Sequence, residues 1–156
     1  MTLGATAIPE VRSLLRVLAA GRDVVEMGAA FGETAAVMAE TARSVVTIEH
    51  DPERVAAARA RLAGLGNVDV VEGDVYDVLH ERGPFDLVFA DGGRPFDWEA
   101  VLAATAPGGL IVKDDLTPGL PVEGDEIRAF LHRDPRLIAA EILVTPDEAV
   151  IVAARR

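Results

Sequence analysis

Six acids in this sequence stand at or near the carboxyl ends of short apolar runs: Glu26, Glu49, Asp74, Asp91, Asp114 and Asp115. Glu26 opens the order acid-x-Gly-x-x-x-Gly in the stretch Val24-Val25-Glu26-Met27-Gly28-Ala29-Ala30-Phe31-Gly32-Glu33-Thr34. A glycine turn from strand into helix brings bare backbone against a ligand, where free N–H groups and the helix dipole favour a carboxylate or phosphate. That points to a nucleoside-type ligand. A dinucleotide fingerprint needs glycine two positions after Gly28, and Ala30 stands there. A nicotinamide-dependent oxidoreductase is therefore the least favoured class, and the Gly-Lys-Ser/Thr ending of a phosphate loop is absent too. Glu49 closes the next apolar run, where an acid accepts both hydroxyls of a ribose. Gly73-Asp74 follows the third run, where a carboxylate faces an adenine amino group. Ribose and adenine are provided for; a pyrophosphate is not.

Asp91, Asp114 and Asp115 form a second group. Hard oxygen ligands on neighbouring strand ends suit Mg²⁺ or Ca²⁺, with water completing the shell. Each residue also has a plainer reading. Gly28 and Gly32 serve a tight turn, Glu49 and Asp74 cap helices, and Asp114-Asp115 is a solvated turn.

The elements that must position these groups follow from hydrophobic periodicity. A helix runs from Pro9 until Gly21, a strand covers Asp23 to Met27, and Glu33 to Thr41 is helical. Ser44 to Glu49 is a strand, and Asp51-Pro52-Glu53 opens a helix that closes near Gly64. Val68 to Val71 is a strand, Val75 to Glu81 a helix, and Phe85 to Ala90 a strand ending at Asp91. Asp97 to Thr105 is helical, Pro107-Gly108-Gly109 turns the chain, and Leu110 to Lys113 is a fifth strand. A helix at Asp125 to His132 and two strands, Leu137 to Val144 and Ala149 to Ala153, complete the series. Strands alternating with helices and lacking polar alternation predict an α/β, doubly wound, mostly parallel sheet covered on both faces. The closing hairpin adds an antiparallel strand at one edge. In such sheets the ligand lies beyond the carboxyl ends of the strands, where the six acids converge.

With 156 residues, half of them hydrophobic, the chain is long enough for one cored domain, expected over residues 1–156. No apolar run reaches bilayer length, and the N-terminus lacks the basic and apolar blocks of a signal peptide, so a cytoplasmic location is expected. The absence of cysteine excludes a disulfide framework and thiolate chemistry. A net charge of −11 without a basic stripe argues against nucleic acid and anionic membrane as partners and leaves a small molecule.

Taken in order, Glu26-x-Gly28-x-x-x-Gly32, Ile48-Glu49-x-Asp51, Gly73-Asp74, Phe85-Asp86-Leu87-Val88-Phe89-Ala90-Asp91 and Pro107-Gly108-Gly109 resemble the class I S-adenosylmethionine-dependent methyltransferases, across nearly the whole chain. The resemblance implies the Rossmann-like fold of that class, with seven strands. It sets Gly28 and Gly32 against the methionine moiety, Thr34 near its carboxylate, Glu49 on the ribose, and Asp74 or Val75 at the adenine. Glu26, Ala29, His50, Gly73 and Asp91 line the same cofactor site. Lys113-Asp114-Asp115-Leu116-Thr117-Pro118-Gly119 extends the likeness to the cation-dependent, catechol O-methyltransferase-like enzymes, in which Asp91, Asp114 and Asp115 would bind the metal.

Two departures stand out. Asp115 occupies a place usually held by Asn, and Arg94 replaces a lysine general base. Arginine does not lose a proton at ordinary pH, so Arg94 would orient an anionic acceptor while metal or solvent promotes deprotonation. The helical region before the first strand is also shorter than is usual in that class. The site is expected to be more open or to be completed by a partner subunit, as in a homodimer. Phe96 and Trp98 are candidates for the acceptor wall.

The sequence therefore predicts cation-assisted O-methylation of a small hydroxylated acceptor, with Asp91 and Arg94 at the reacting centre. The alternatives are a metal-independent small-molecule methyltransferase and a cofactor-binding module with little catalysis.

Overall fold

Alternation of apolar strands with amphipathic helices builds the expected layers. Residues 6–91 and 96–156 are described by a computed structural model. Helix α1 (Pro9–Leu18) begins on a proline, whose missing N–H has no partner to lose in a first turn. There follow β1 (Asp23–Met27), α2 (Glu33–Ala39), β2 (Ser44–Glu49), α3 (Pro52–Leu62), β3 (Val68–Glu72) and α4 (Val75–Arg82). The second half holds β4 (Phe85–Phe89), α5 (Trp98–Ala103), β5 (Thr105–Leu116), α6 (Glu126–Arg133), β6 (Leu137–Thr145) and β7 (Glu148–Arg155). Asp51, Asp74, Asp97 and Asp125 start α3, α4, α5 and α6, each accepting first-turn N–H groups that would otherwise lack partners.

The seven strands lie in the order β3-β2-β1-β4-β5-β7-β6. Strands β1 to β5 pair in parallel, and β7 runs antiparallel to both β5 and β6. The antiparallel strand thus sits one place in from the edge, and β6 forms the margin. Chain direction across the sheet reverses between β1 and β4, so the crevice beyond their carboxyl ends is the natural ligand site.

Period-two alternation sorts the core into two layers. Val24, Val45, Leu87 and Val112 pack with Val11 and Leu15 of α1, Met38 of α2 and Leu62 of α3. Their neighbours Val25, Val46, Val88 and Ile111 pack with Leu79 of α4, Leu102 of α5 and Leu131 of α6. Each such aliphatic side chain, fully enclosed, contributes about 1.5–3 kcal/mol.

Strand β5 differs from the sequence expectation at both ends. Phe85 pairs with Thr105 and Leu87 with Leu110, so Pro107-Gly108-Gly109 forms an irregularity inside the strand rather than a turn before it. At the far end Lys113 pairs with Ile151 and Leu116 with Ala149, which leaves one extra residue on β5. Pairing with β7 carries the strand beyond Lys113, and the extra residue is accommodated as a β-bulge in which Asp115 takes φ +56°. No described helix is long and apolar enough to cross a membrane.

Candidate functional site

The loop after β1 is strapped to the end of β2. The Gly28 and Ala29 N–H groups both donate to the Ile48 carbonyl, at 3.0 and 2.8 Å. Gly28 adopts φ +105°, which glycine alone takes without strain, and Ala30 adopts φ +44°. Its left-handed backbone turns the Ala30 N–H onto Glu49 Oε2 at 3.0 Å, while Glu49 Oε1 accepts from the His50 and Asp51 N–H groups at 3.0 and 3.1 Å. Three backbone donors fix this buried carboxylate; Oε1 already accepts two of them, and Oε2, with one, keeps a lone pair for a further donor. Glu49 is thus a rigid acceptor at the sheet edge, as a ribose diol requires. The exposed His50 ring lies beside it, Nδ1 to Oε1 being 3.2 Å.

Gly32 adopts φ +79° at the start of α2, and a Cβ there would lie 3.0 Å from Leu62 Cδ1 and 3.3 Å from Ala58 Cα. Close packing of α2 on α3 is therefore one reason for this glycine. Thr34 is buried one residue into α2. The Gly73 N–H donates to the Glu49 carbonyl at 3.0 Å, joining the third motif to the second. Asp74 Oδ1 accepts from the Tyr76 and Asp77 N–H groups, so Asp74 does cap α4, and Val75 packs partly into the core.

Glu26 is fully enclosed, with Oε2 accepting from Thr47 Oγ1 at 2.5 Å. Burial pushes its carboxyl well above the usual range; the Thr47 hydroxyl opposes this, and the charges of Asp91, Asp114 and Glu49 add to it. Asp91, Asp114 and Asp115 come together: one carboxylate oxygen from each lies within 4.8 Å of the others. Burial, reinforced by the Asp114 charge, pushes Asp91 up to about 8. Burial also lifts Asp114, to about 6, against the opposing effect of Lys113. Asp114 is wholly buried, and its Oδ2 has no hydrogen-bond partner among the described residues. A desolvated, unpartnered carboxylate oxygen is costly unless something binds it. The donor set fits a hard divalent cation. Arg94 lies outside the described residues.

Two residues not expected from the sequence belong to this region. Lys113 is buried; its Nζ donates to the Asp114 carbonyl at 2.7 Å and lies 3.5 Å from Asp114 Oδ1. A lone lysine ending the apolar run Leu110-Ile111-Val112 on an inward register was the available signal. Glu148 starts β7, its charge reaches Asp91 and Asp114, and burial together with Asp115 raises its carboxyl. Its approach depends on the β5–β7 register, which local sequence does not encode.

Lys113 Nζ stands 5.4 Å from the centroid of the Phe96 ring. Phe96 stacks on Trp98 at 4.7 Å, and Trp98 on Phe130 at 5.6 Å. Phe96 and Trp98 wall a cleft of about 540 Å³, closed on the other side by Leu120, Pro121 and the start of α6. Arg128 anchors that side: it donates to Glu141, Asp125 and the Thr117 carbonyl while itself being buried.

Residues 25–116 match the family model described as "Methyltransferase domain". A protein-L-isoaspartate O-methyltransferase of Nitrobacter winogradskyi is 34% identical over 114 residues, 72% of this chain and 51% of that protein. A catechol O-methyltransferase of Niastella koreensis is 31% identical over 119 residues, 66% of this chain and 53% of that protein. The chain spans about half the length of the curated relatives it matches. Among solved structures, cofactor-bound Rv0187 from MTB superposes with a TM-score of 0.78 at 26% identity, covering 97% of this chain and 82% of that one. The O-methyltransferase TomG from Streptomyces achromogenes, in complex with SAM, gives 0.79 at 24% identity over the same shares, a likeness of fold.

Proposed function

Because this chain belongs to the methyltransferase-domain family, we propose that it methylates a hydroxyl of a small acceptor, using S-adenosylmethionine as donor and a divalent cation held by Asp91, Asp114 and Asp115. The donor assignment is supported by the joined motifs: the Gly28 loop, the fixed Glu49 carboxylate and the Gly73-Asp74 turn meet through backbone hydrogen bonds beyond the carboxyl ends of β1, β2 and β3. The observation that carries the cation is the buried Oδ2 of Asp114, without a hydrogen-bond partner among the described residues and beside two further acids.

When bound, these two groups supply a sulfonium-activated methyl and a Lewis acid that favours ionisation of an acceptor hydroxyl. The chain's own contribution is positional. Glu49 orients the nucleoside end through a carboxylate that cannot swing. The acid trio would hold the ion beside the acceptor, while the Phe96–Trp98 wall excludes water and holds a flat acceptor. Arg94 orients the acceptor and takes no proton.

The isoaspartate relatives suggest a peptide carboxylate as the other acceptor. A cation that favours ionisation helps a hydroxyl, and an already ionised carboxylate has no need of that help, so the hydroxyl reading is preferred.

Thermal-shift measurements with S-adenosylmethionine, S-adenosylhomocysteine and NAD test the donor; stabilisation by NAD alone refutes it. Radiolabelled methyl transfer to catechols and to an isoaspartyl peptide, with Mg²⁺ or EDTA, tests the rest. Transfer to catechol abolished by EDTA is the expected result. Transfer indifferent to EDTA removes the cation, and transfer to the peptide alone removes the hydroxyl acceptor.

A further inference from the structure

Lys113 has a place beside the acid trio that the proposed reaction leaves unexplained. Its ammonium is buried at the end of an apolar strand, held by the Asp114 carbonyl at 2.7 Å, with Asp114 Oδ1 at 3.5 Å and the Phe96 ring on another side. Burying an ammonium is unfavourable unless it is paired, so the pairing fixes both partners. Asp114 is left asymmetric: Oδ1 faces the ammonium, and Oδ2 is enclosed with no hydrogen-bond partner among the described residues.

Resting on the cation reading above, we propose that Lys113 sets the ion selectivity of the site: by holding Asp114 Oδ1 it confines Asp114 to one-oxygen ligation and so favours Mg²⁺ over Ca²⁺. Mg²⁺ takes an octahedral shell at about 2.0–2.1 Å and keeps several waters, which needs one oxygen per carboxylate. Ca²⁺ takes six to eight oxygens at about 2.3–2.6 Å and gains from carboxylates that chelate through both oxygens. A Ca²⁺ ion chelated by Asp114 would be drawn toward the ammonium already beside Oδ1. In a buried site that repulsion is weakly screened. An ion on Oδ2 alone stays farther from it. The ammonium also offsets one carboxylate charge of the trio, which limits affinity for divalent ions in general and leaves the difference between them to geometry.

Free Mn²⁺, read by its electron paramagnetic resonance signal, reports occupancy of the site on the full chain, and Mg²⁺ or Ca²⁺ then displaces it. Wild-type protein is expected to release Mn²⁺ at lower Mg²⁺ than Ca²⁺ concentration. In Lys113→Met the Ca²⁺ to Mg²⁺ affinity ratio rises ~10-fold or more, because Asp114 regains its second oxygen. A lysine with only a structural role would, on removal, weaken both ions together and leave the ratio unchanged. Lys113→Gln retains a donor for the Asp114 carbonyl and serves if Lys113→Met unfolds. A ratio within twofold of wild type in the folded variants, or a wild-type preference for Ca²⁺, overturns the selectivity role alone. No Mn²⁺ binding to wild-type protein overturns the cation reading and this inference with it.

Discussion

Affinity for the divalent ion is expected to climb steeply with pH. In the ion-free site Asp91 titrates at about 8, raised by burial and by the Asp114 charge, and Asp114 at about 6, raised by burial and by the Asp115 charge against the opposing effect of Lys113. An ion binds the carboxylates, so it must displace whatever protons they hold. Each group weakens binding by one plus ten to the power of its pKa minus pH, which together gives a gain of ~100-fold between pH 6 and pH 8. At pH 7 Asp91 is mostly protonated and Asp114 mostly not, so binding releases about one proton. Calorimetry in two buffers of different ionisation heat reads that proton directly. Stability carries the opposite sign. Both carboxyls have pKa values above those of the unfolded chain, so the folded protein binds the extra protons between about pH 4 and pH 8. Without ion, Tm should therefore fall from pH 5 to pH 8, and saturating Mg²⁺ should abolish the part of that fall due to Asp91 and Asp114, leaving the part due to the raised Glu26 and Glu148. Carboxylates paired with arginine, such as Asp134 held at about 2 by Arg136, titrate below this window and do not confuse it. Affinity that is flat from pH 6 to pH 8, with no proton released, refutes the reasoning.

Three further perturbations test other parts of the site. Glu49→Gln replaces a three-donor acceptor with an amide, leaving an N–H unpartnered at about 1–3 kcal/mol and weakening S-adenosylhomocysteine ~10-fold; chemical denaturation and calorimetry read the two, and no change in either denies Glu49 its role. Gly32→Ala places a Cβ at φ +79° against Leu62, so a loss of at least about 1 kcal/mol is expected in urea unfolding; an unchanged midpoint means that the loop relaxes freely. Arg128→Ala strands Glu141 and Asp125, whose partial exposure reduces the usual buried-pair loss to about 2–3 kcal/mol; a smaller change than 1 kcal/mol would show that the cleft wall stands without it.

Local signals placed β1 and β2 at the expected bounds because each is an apolar run flanked by turn residues and carrying an acid near its carboxyl end. The aspartate caps were equally legible, since an N-cap needs only its own first turn. Asp74 shows the limit of such reading: its capping bonds are now evident, and an adenine contact remains a separate matter for its exposed side. What the sequence did not reveal depends on long-range pairing. The antiparallel β7 enters between β5 and β6, lengthens β5 past Lys113 and brings Glu148 toward the acids. Lys113 itself looked like the last residue of a strand. Only the packing of Phe96 over it, and the inward register shared with Ile111, shows that its charge is enclosed.

The left-handed backbone at Asp115 has an evolutionary consequence. Among residues with side chains, Asn and Asp tolerate that conformation best, because their short polar groups bond locally. Backbone geometry at the bulge therefore narrows the choice at residue 115 to nearly isosteric alternatives that differ by one unit of charge. Exchange between them would retune the electrostatics of the acid trio while leaving strand register intact. The place where this chain carries Asp instead of Asn is thus one at which drift is cheap in shape and consequential in charge.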